Sequence, residues 1–189
     1  THPDRSARLA AITNGWISSC EFSVQAGGDS SRCVVARPEP VEDPRPVQPS
    51  ISGELDYSLD AYFGEAELVS GFTPDPYTLN ITSGGGINAD YLGGECRGYA
   101  AEASDFQLTW SGDSSLLRVY FEPSESSGDT TLLINMPDGS WSCNDDASSE
   151  NLNPMVRMSN PPEGVFDIWV GSYTEGERVP GVLSVTELN

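Results

Sequence analysis

A chain of 189 residues suits one domain of ordinary size plus an extension, and 19 Gly and 14 Pro beside 37% hydrophobic residues give a loop-rich, all-β balance rather than a helical one. The formal net charge is −20 and the nine basic residues are all arginine. Nucleic acid is therefore excluded as a partner, because phosphate binding needs a basic face, and an anionic membrane surface would repel the chain.

Four cysteines, Cys20, Cys33, Cys96 and Cys143, include no C-x-x-C pair, and His2 is the single histidine, so a Cys/His zinc site lacks ligands. Two disulfides are the economical reading. They place the protein outside the cell or on its surface, with the periplasm as the alternative. No apolar run approaches the ~18 residues of a membrane helix, so no insertion is expected. With no signal peptide in view, Thr1 reads as a mature N-terminus left by cleavage.

In chain order, Asp4 to Ile12 reads as a short helix with Pro3 in its first turn. From Trp16 the period changes to two. Trp16, Cys20, Phe22 and Val24 share one face, and Ile17, Ser19, Glu21 and Ser23 the other. Gly27-Gly28-Asp29 makes a turn, after which Cys33 and Val35 alternate with Val34 and Ala36. If Val24 pairs with Asp29, Cys20 faces Cys33 and a disulfide staples a hairpin arm. Its apolar residues Trp16, Ile17, Phe22, Val24, Val34 and Val35 have too little chain to cover them. Two readings stay open: the arm folds back on its own domain, or it docks on another molecule.

A tract from Arg37 to Pro49 is rich in proline and cannot sit inside a sheet. It reads as an extended, semi-rigid linker of ~40 Å. The expected organisation is an arm over 1–37, a linker over 38–50 and a β-sandwich over 51–189.

The large block reads strand after strand. Glu65 to Phe72 is one, and Tyr77 to Thr82 alternates until Ser83-Gly84-Gly85-Gly86 stops it. Phe106, Leu108 and Trp110 mark the next, then Leu117, Val119 and Phe121. Asp129 to Asp146 reads strand, tight turn, strand, acidic loop. Leu132, Ile134 and Met136 share a face there, and Pro137-Asp138-Gly139 carries the turn. Met155 to Met158, Val165 to Tyr173 and Val182 to Leu188 complete the set. Short strands at roughly 8–12-residue spacing argue for a sandwich or barrel.

Gly71-Phe72-Thr73-Pro74-Asp75-Pro76, Cys96-Arg97-Gly98, the 129–146 block, Asn153-Pro154 and Phe166-Asp167-Ile168-Trp169-Val170-Gly171-Ser172-Tyr173 occur in that order. Together they resemble the pre-peptidase C-terminal (PPC-type) β-sandwich domains of secreted bacterial peptidases, over about residues 62–189. The resemblance implies a jelly-roll-like antiparallel sandwich, a Cys96–Cys143 bridge, and an accessory module without the peptidase's catalytic residues.

Enzymatic activity is not expected. Gly28-Asp29-Ser30-Ser31 is similar to the sequence around a serine-protease nucleophile, but it reads as the hairpin turn. The lone His2 lies at the terminus, and lysine is absent. For metal, Asn144, Asp145 and Asp146 with the turn residue Asp138 gather oxygens of the kind Ca²⁺ prefers, without EF-hand spacing. A polar loop bonding its own backbone explains the same residues. Asn80-Ile81-Thr82 has the N-glycosylation pattern.

The function expected is a secreted, non-enzymatic structural or interaction protein. Its partners would be other copies of itself, joined through the arm into an extracellular fibre or surface assembly. The alternative is a calcium-stabilised accessory domain that binds polysaccharide or protein for a secreted enzyme. A row of exposed aromatics would mark that role, with Tyr91, Tyr99, Trp141 and Tyr173 as candidates and core packing the expected place of Trp141.

Overall fold

A computed structural model describes residues 53–124 and 128–189. The hairpin arm, the Cys20–Cys33 pairing, the residues Trp16, Ile17, Phe22, Val24, Val34 and Val35, and the proline linker all lie outside the described residues.

Among the described residues eleven strands follow in chain order: β1 (Glu65–Val69), β2 (Tyr77–Thr82), β3 (Ile87–Asn88), β4 (Tyr99–Ala100), β5 (Phe106–Ser111), β6 (Leu116–Pro123), β7 (Thr130–Asn135), β8 (Trp141–Asn144), β9 (Met155–Ser159), β10 (Gly164–Ser172) and β11 (Pro180–Thr186). A 3-10 turn, Ala89–Leu92, separates β3 from β4. The long strands are those that alternation marks in the sequence. β3 and β4 are not visible there, because two residues carry no period.

The strands form two sheets. The smaller runs β2-β11-β6-β9, and the larger contains β5-β10-β7-β8 with β1, β3 and β4 added at its margins. Leaving those three aside, the strands in sequence order interleave between the sheets as a jelly roll does. The all-β sandwich is thus shown. One feature departs from the antiparallel expectation: β1 pairs β5 in parallel, Glu65 opposite Gln107 and Val69 opposite Ser111. The chain crosses to the smaller sheet as β2 and comes back to the larger one as β3 and β4 before β5 runs beside β1 in the same direction, a parallel pairing that needs such a long connection.

Alternation builds the core. Phe106, Leu108 and Trp110 of β5, Leu117, Val119 and Phe121 of β6, Leu132 and Ile134 of β7, and Phe166, Ile168 and Val170 of β10 point between the sheets. Phe72 meets Trp110 edge-on at 6.2 Å, and Tyr77 stacks on Phe106 at 5.8 Å.

The hairpin that joins β7 to β8 closes as its turn chemistry predicts. Met136 N–H donates to the Ser140 carbonyl at 2.8 Å, Gly139 takes φ +81°, and Asp138 Oδ1 accepts from Ser140 N–H at 2.9 Å.

Candidate functional site

The larger sheet is buried on both faces along β7, where every residue from Thr130 to Asn135 is buried. Leu133 and Trp169 point away from the inter-sheet core, into a second apolar cluster with Leu55, Ile87, Ala89 and Ala100. The chain between β2 and β5 covers this outer face.

Several local devices fix that cover. Asn88 caps the 3-10 turn, its Oδ1 accepting from Asp90 N–H at 2.8 Å. Tyr91 Oη accepts from Leu55 N–H at 2.8 Å. Gly98 has φ +89°, and a Cβ there would lie 2.8 Å from the Thr131 side chain. Cys96 bonds Cys143 of β8 with Cα atoms 5.0 Å apart, which pins the cover to the sheet. This is the bridge that the resemblance implies. Trp141 is half-buried and packs at a tilt of 41° against Trp169, ring centroids 5.2 Å apart, as core packing predicts.

The four candidate aromatics do not form a row. Tyr91 sits on the 3-10 turn and Tyr173 follows β10, both about half exposed, while Tyr99 on β4 and Trp141 on β8 are half-buried. Two open clefts lie nearby. One of about 420 Å³, beside the disulfide, is lined by Leu92, Gly93, Gly94, Glu95 and Trp141. The other, also about 420 Å³, is lined by Tyr57, Leu59, Asp60, Glu65 and Gln107. Gln107 Nε2 donates to Asp167 Oδ1 at 2.9 Å, and burial pushes the Asp167 carboxyl up against that hydrogen bond.

The structure separates the residues proposed for calcium. Asp138 sits in the turn that opens β8, whereas Asp145 and Asp146 follow its end, and the four residues of β8 alone span roughly 13 Å. Asp138 Oδ1 is engaged by Ser140. Asn144 Oδ1 accepts from Met155 N–H at 2.8 Å, and its Nδ2 donates to the Asp146 carbonyl at 2.9 Å. Asp145 pairs with Arg97 at 3.5 Å. Among the described residues, no group of three or more His, Cys, Asp or Glu side chains is arranged to hold a metal.

Asp145 and Asp146 instead share one end of the larger sheet with Asp129 and Glu177. Partial burial, then repulsion from Asp146, Asp145 and Glu177, hold the Asp129 carboxyl above its ordinary value. Asn80 is exposed on β2, an edge strand of the smaller sheet. Among the described residues, no helix is long and apolar enough to cross a membrane.

A strand edge is the feature that sequence reasoning did not single out. Among the described residues β1 pairs on one side only. Gln107 N–H donates to the Gly64 carbonyl and Ser70 N–H to the Ser111 carbonyl, so even-numbered residues turn their backbone toward β5. Glu65, Glu67 and Val69 turn theirs outward by the alternation of a strand. Val69 is 58% exposed.

No family model matches the chain, and no curated protein matches it. Among solved structures it is similar to PliG of Aeromonas hydrophila, described as a periplasmic lysozyme inhibitor of g-type lysozyme. Identity is 14% and the TM-score 0.33, over 68% of this chain and 98% of that one.

Proposed function

We propose that this chain is a non-enzymatic interaction protein of an oxidising compartment, and that it associates with copies of itself by laying the apolar strand pattern of residues 16–24 along β1 of a neighbour. The observation that carries this reading is that β1, among the described residues, pairs on one side only. An unpaired edge offers a row of N–H and C=O groups that an extended segment can complete. Glu65 and Glu67 guard the edge against indiscriminate pairing, a common device on exposed strands. The Cys96–Cys143 bridge supports export, since such bonds persist where thiols are not kept reduced. A contact between an arm and a different surface is heterologous, so it propagates unless rotation closes a ring.

Glu67→Pro tests this. The substitution removes an outward N–H and leaves the ladder to β5 intact. Sedimentation velocity should show the native chain associating and the variant shifted toward monomer by about tenfold in concentration, the loss of roughly one good hydrogen bond. A native chain that stays monomeric at every concentration would end the proposal.

A further inference from the structure

Two arginines stand directly opposite one another on the outer face of the smaller sheet. Arg118 on β6 is in register with Arg157 on β9. Their neighbours Leu117, Val119, Val156 and Met158 fill the core, so alternation turns both arginines outward. Tyr120 and Thr186 flank them, Thr186 lying opposite Arg118 across β11.

The pairing is costly as it stands. Like charges facing across a sheet destabilise it. Among the described residues neither guanidinium makes an ion pair, whereas Arg97 does. Arg157 Nη2 donates to Asn189 Oδ1 at 2.8 Å, while Arg118 Nε is buried without a hydrogen-bond partner. The chain holds 29 acidic residues and nine arginines, so carboxylates are not scarce. The fold has nonetheless kept them from this pair.

The opposite imbalance exists elsewhere on the same molecule. Asp129, Asp145, Asp146 and Glu177 crowd the end of the sandwich where β6 finishes and β7 begins. Leu132 lies opposite Asn144, which brings Asp145 and Asp146 alongside the start of β7, and Tyr173 N–H donates to the Asp129 carbonyl at 2.9 Å. Arg118 lies near the start of β6, and the five residues from it to Pro123 cover roughly 17 Å. The basic pair and the acidic end are thus on different sheets and toward different ends, so one molecule cannot satisfy both internally.

We propose that Arg118 and Arg157 form a docking pair for the acidic end of a second copy of this chain, centred on its Asp129 and Asp146. The inference rests on the self-association proposed above and adds a second contact to it. Arg97 meets Asp145 at the acidic end, but among the described residues Asp129 and Asp146 pair with no arginine, and Arg118 and Arg157 pair with no carboxylate. Guanidinium planes suit carboxylates geometrically, and charge complementarity fixes register more than it adds affinity. Because the two patches differ, the contact is head-to-tail, in keeping with an arm that reaches the next copy.

Charge reversal tests this better than salt, since salt screens both the local attraction and the long-range repulsion of chains at −20. Three full-length proteins are compared by sedimentation velocity: native, Arg118→Glu with Arg157→Glu, and Asp129→Arg with Asp146→Arg. Each double variant alone should associate about tenfold more weakly than native, and an equimolar mixture should recover most of the loss. Arg157→Glu alone, at an exposed position, gives the same direction of change should reversal at Arg118 impair folding. A native chain that associates while both double variants associate equally well overturns the docking pair and leaves the arm reading standing. A mixture no tighter than either variant also overturns it. A native chain that never associates fails both proposals.

Discussion

The inter-sheet core and the cluster on the outer face of the larger sheet are both apolar and buried, yet they are closed by different means. The first is capped by a second sheet, whose ladders satisfy the backbone and whose side chains interdigitate. The second is capped by an excursion that contributes only β3, a 3-10 turn and β4, and a covalent bond pins it down. A cover with little regular structure has few backbone hydrogen bonds to resist local opening. The cross-link supplies what the ladder does not.

Phe121→Ala should show the largest effect, since Phe121 is fully buried between the sheets. The loss is expected to be about 3–5 kcal/mol, read from denaturant midpoints at constant slope. A loss below about 1 kcal/mol would mean that the two sheets can close without it.

Cys96→Ser together with Cys143→Ser comes next. The bridge spans a sequence separation of 47 residues, and its removal should cost about 2–4 kcal/mol. Amide exchange should rise first in residues 83–104, while β5, β6, β10 and β11 keep their protection. Uniform loss of protection would show that the cover and the sandwich form one cooperative unit, and the comparison would collapse.

Asp167→Asn probes the boundary between the two regions and should have the smallest effect. The Asp167 carboxyl titrates higher folded than unfolded. The stability gained from its protonation is complete below the unfolded value near 3.8 and is lost as pH rises through the raised folded value. An asparagine keeps an acceptor for Gln107 and carries no charge. The variant should match or exceed native stability at neutral pH, by less than about 0.5 kcal/mol, and its melting temperature should fall less as pH rises from about 4. A steeper pH dependence in the variant would contradict the assigned burial.

The candidate sites were legible in uneven measure. Asp138 was readable as a turn residue, because an Asp between Pro and Gly bonds its own backbone two residues on. Its grouping with Asp145 and Asp146 followed nearness in sequence, and β8 carries them apart in space. Trp169 and Leu133 fall on the polar phase of their strands, and only a cover arriving from residues 83–104 makes them core. Arg118 and Arg157 belong to separate strands, and register alone makes them neighbours. The edge of β1 that stays open among the described residues was equally hidden, since Glu65 to Val69 looks like any half-buried strand until its pairing is known.

By itself the sequence determined what depends on neighbours one or two residues away: which segments become long strands, where the β7–β8 turn falls, and which face of each strand is apolar. Side-chain alternation and turn chemistry act locally, so they survive without knowledge of the fold. The tertiary structure decided everything that depends on which strand lies beside which. The parallel return of β5 beside β1, the covered outer face, the facing arginines and the crowded carboxylates at the opposite end all arise from pairings between distant segments. No local period encodes those pairings, because a strand with one apolar face can satisfy that face beside many partners.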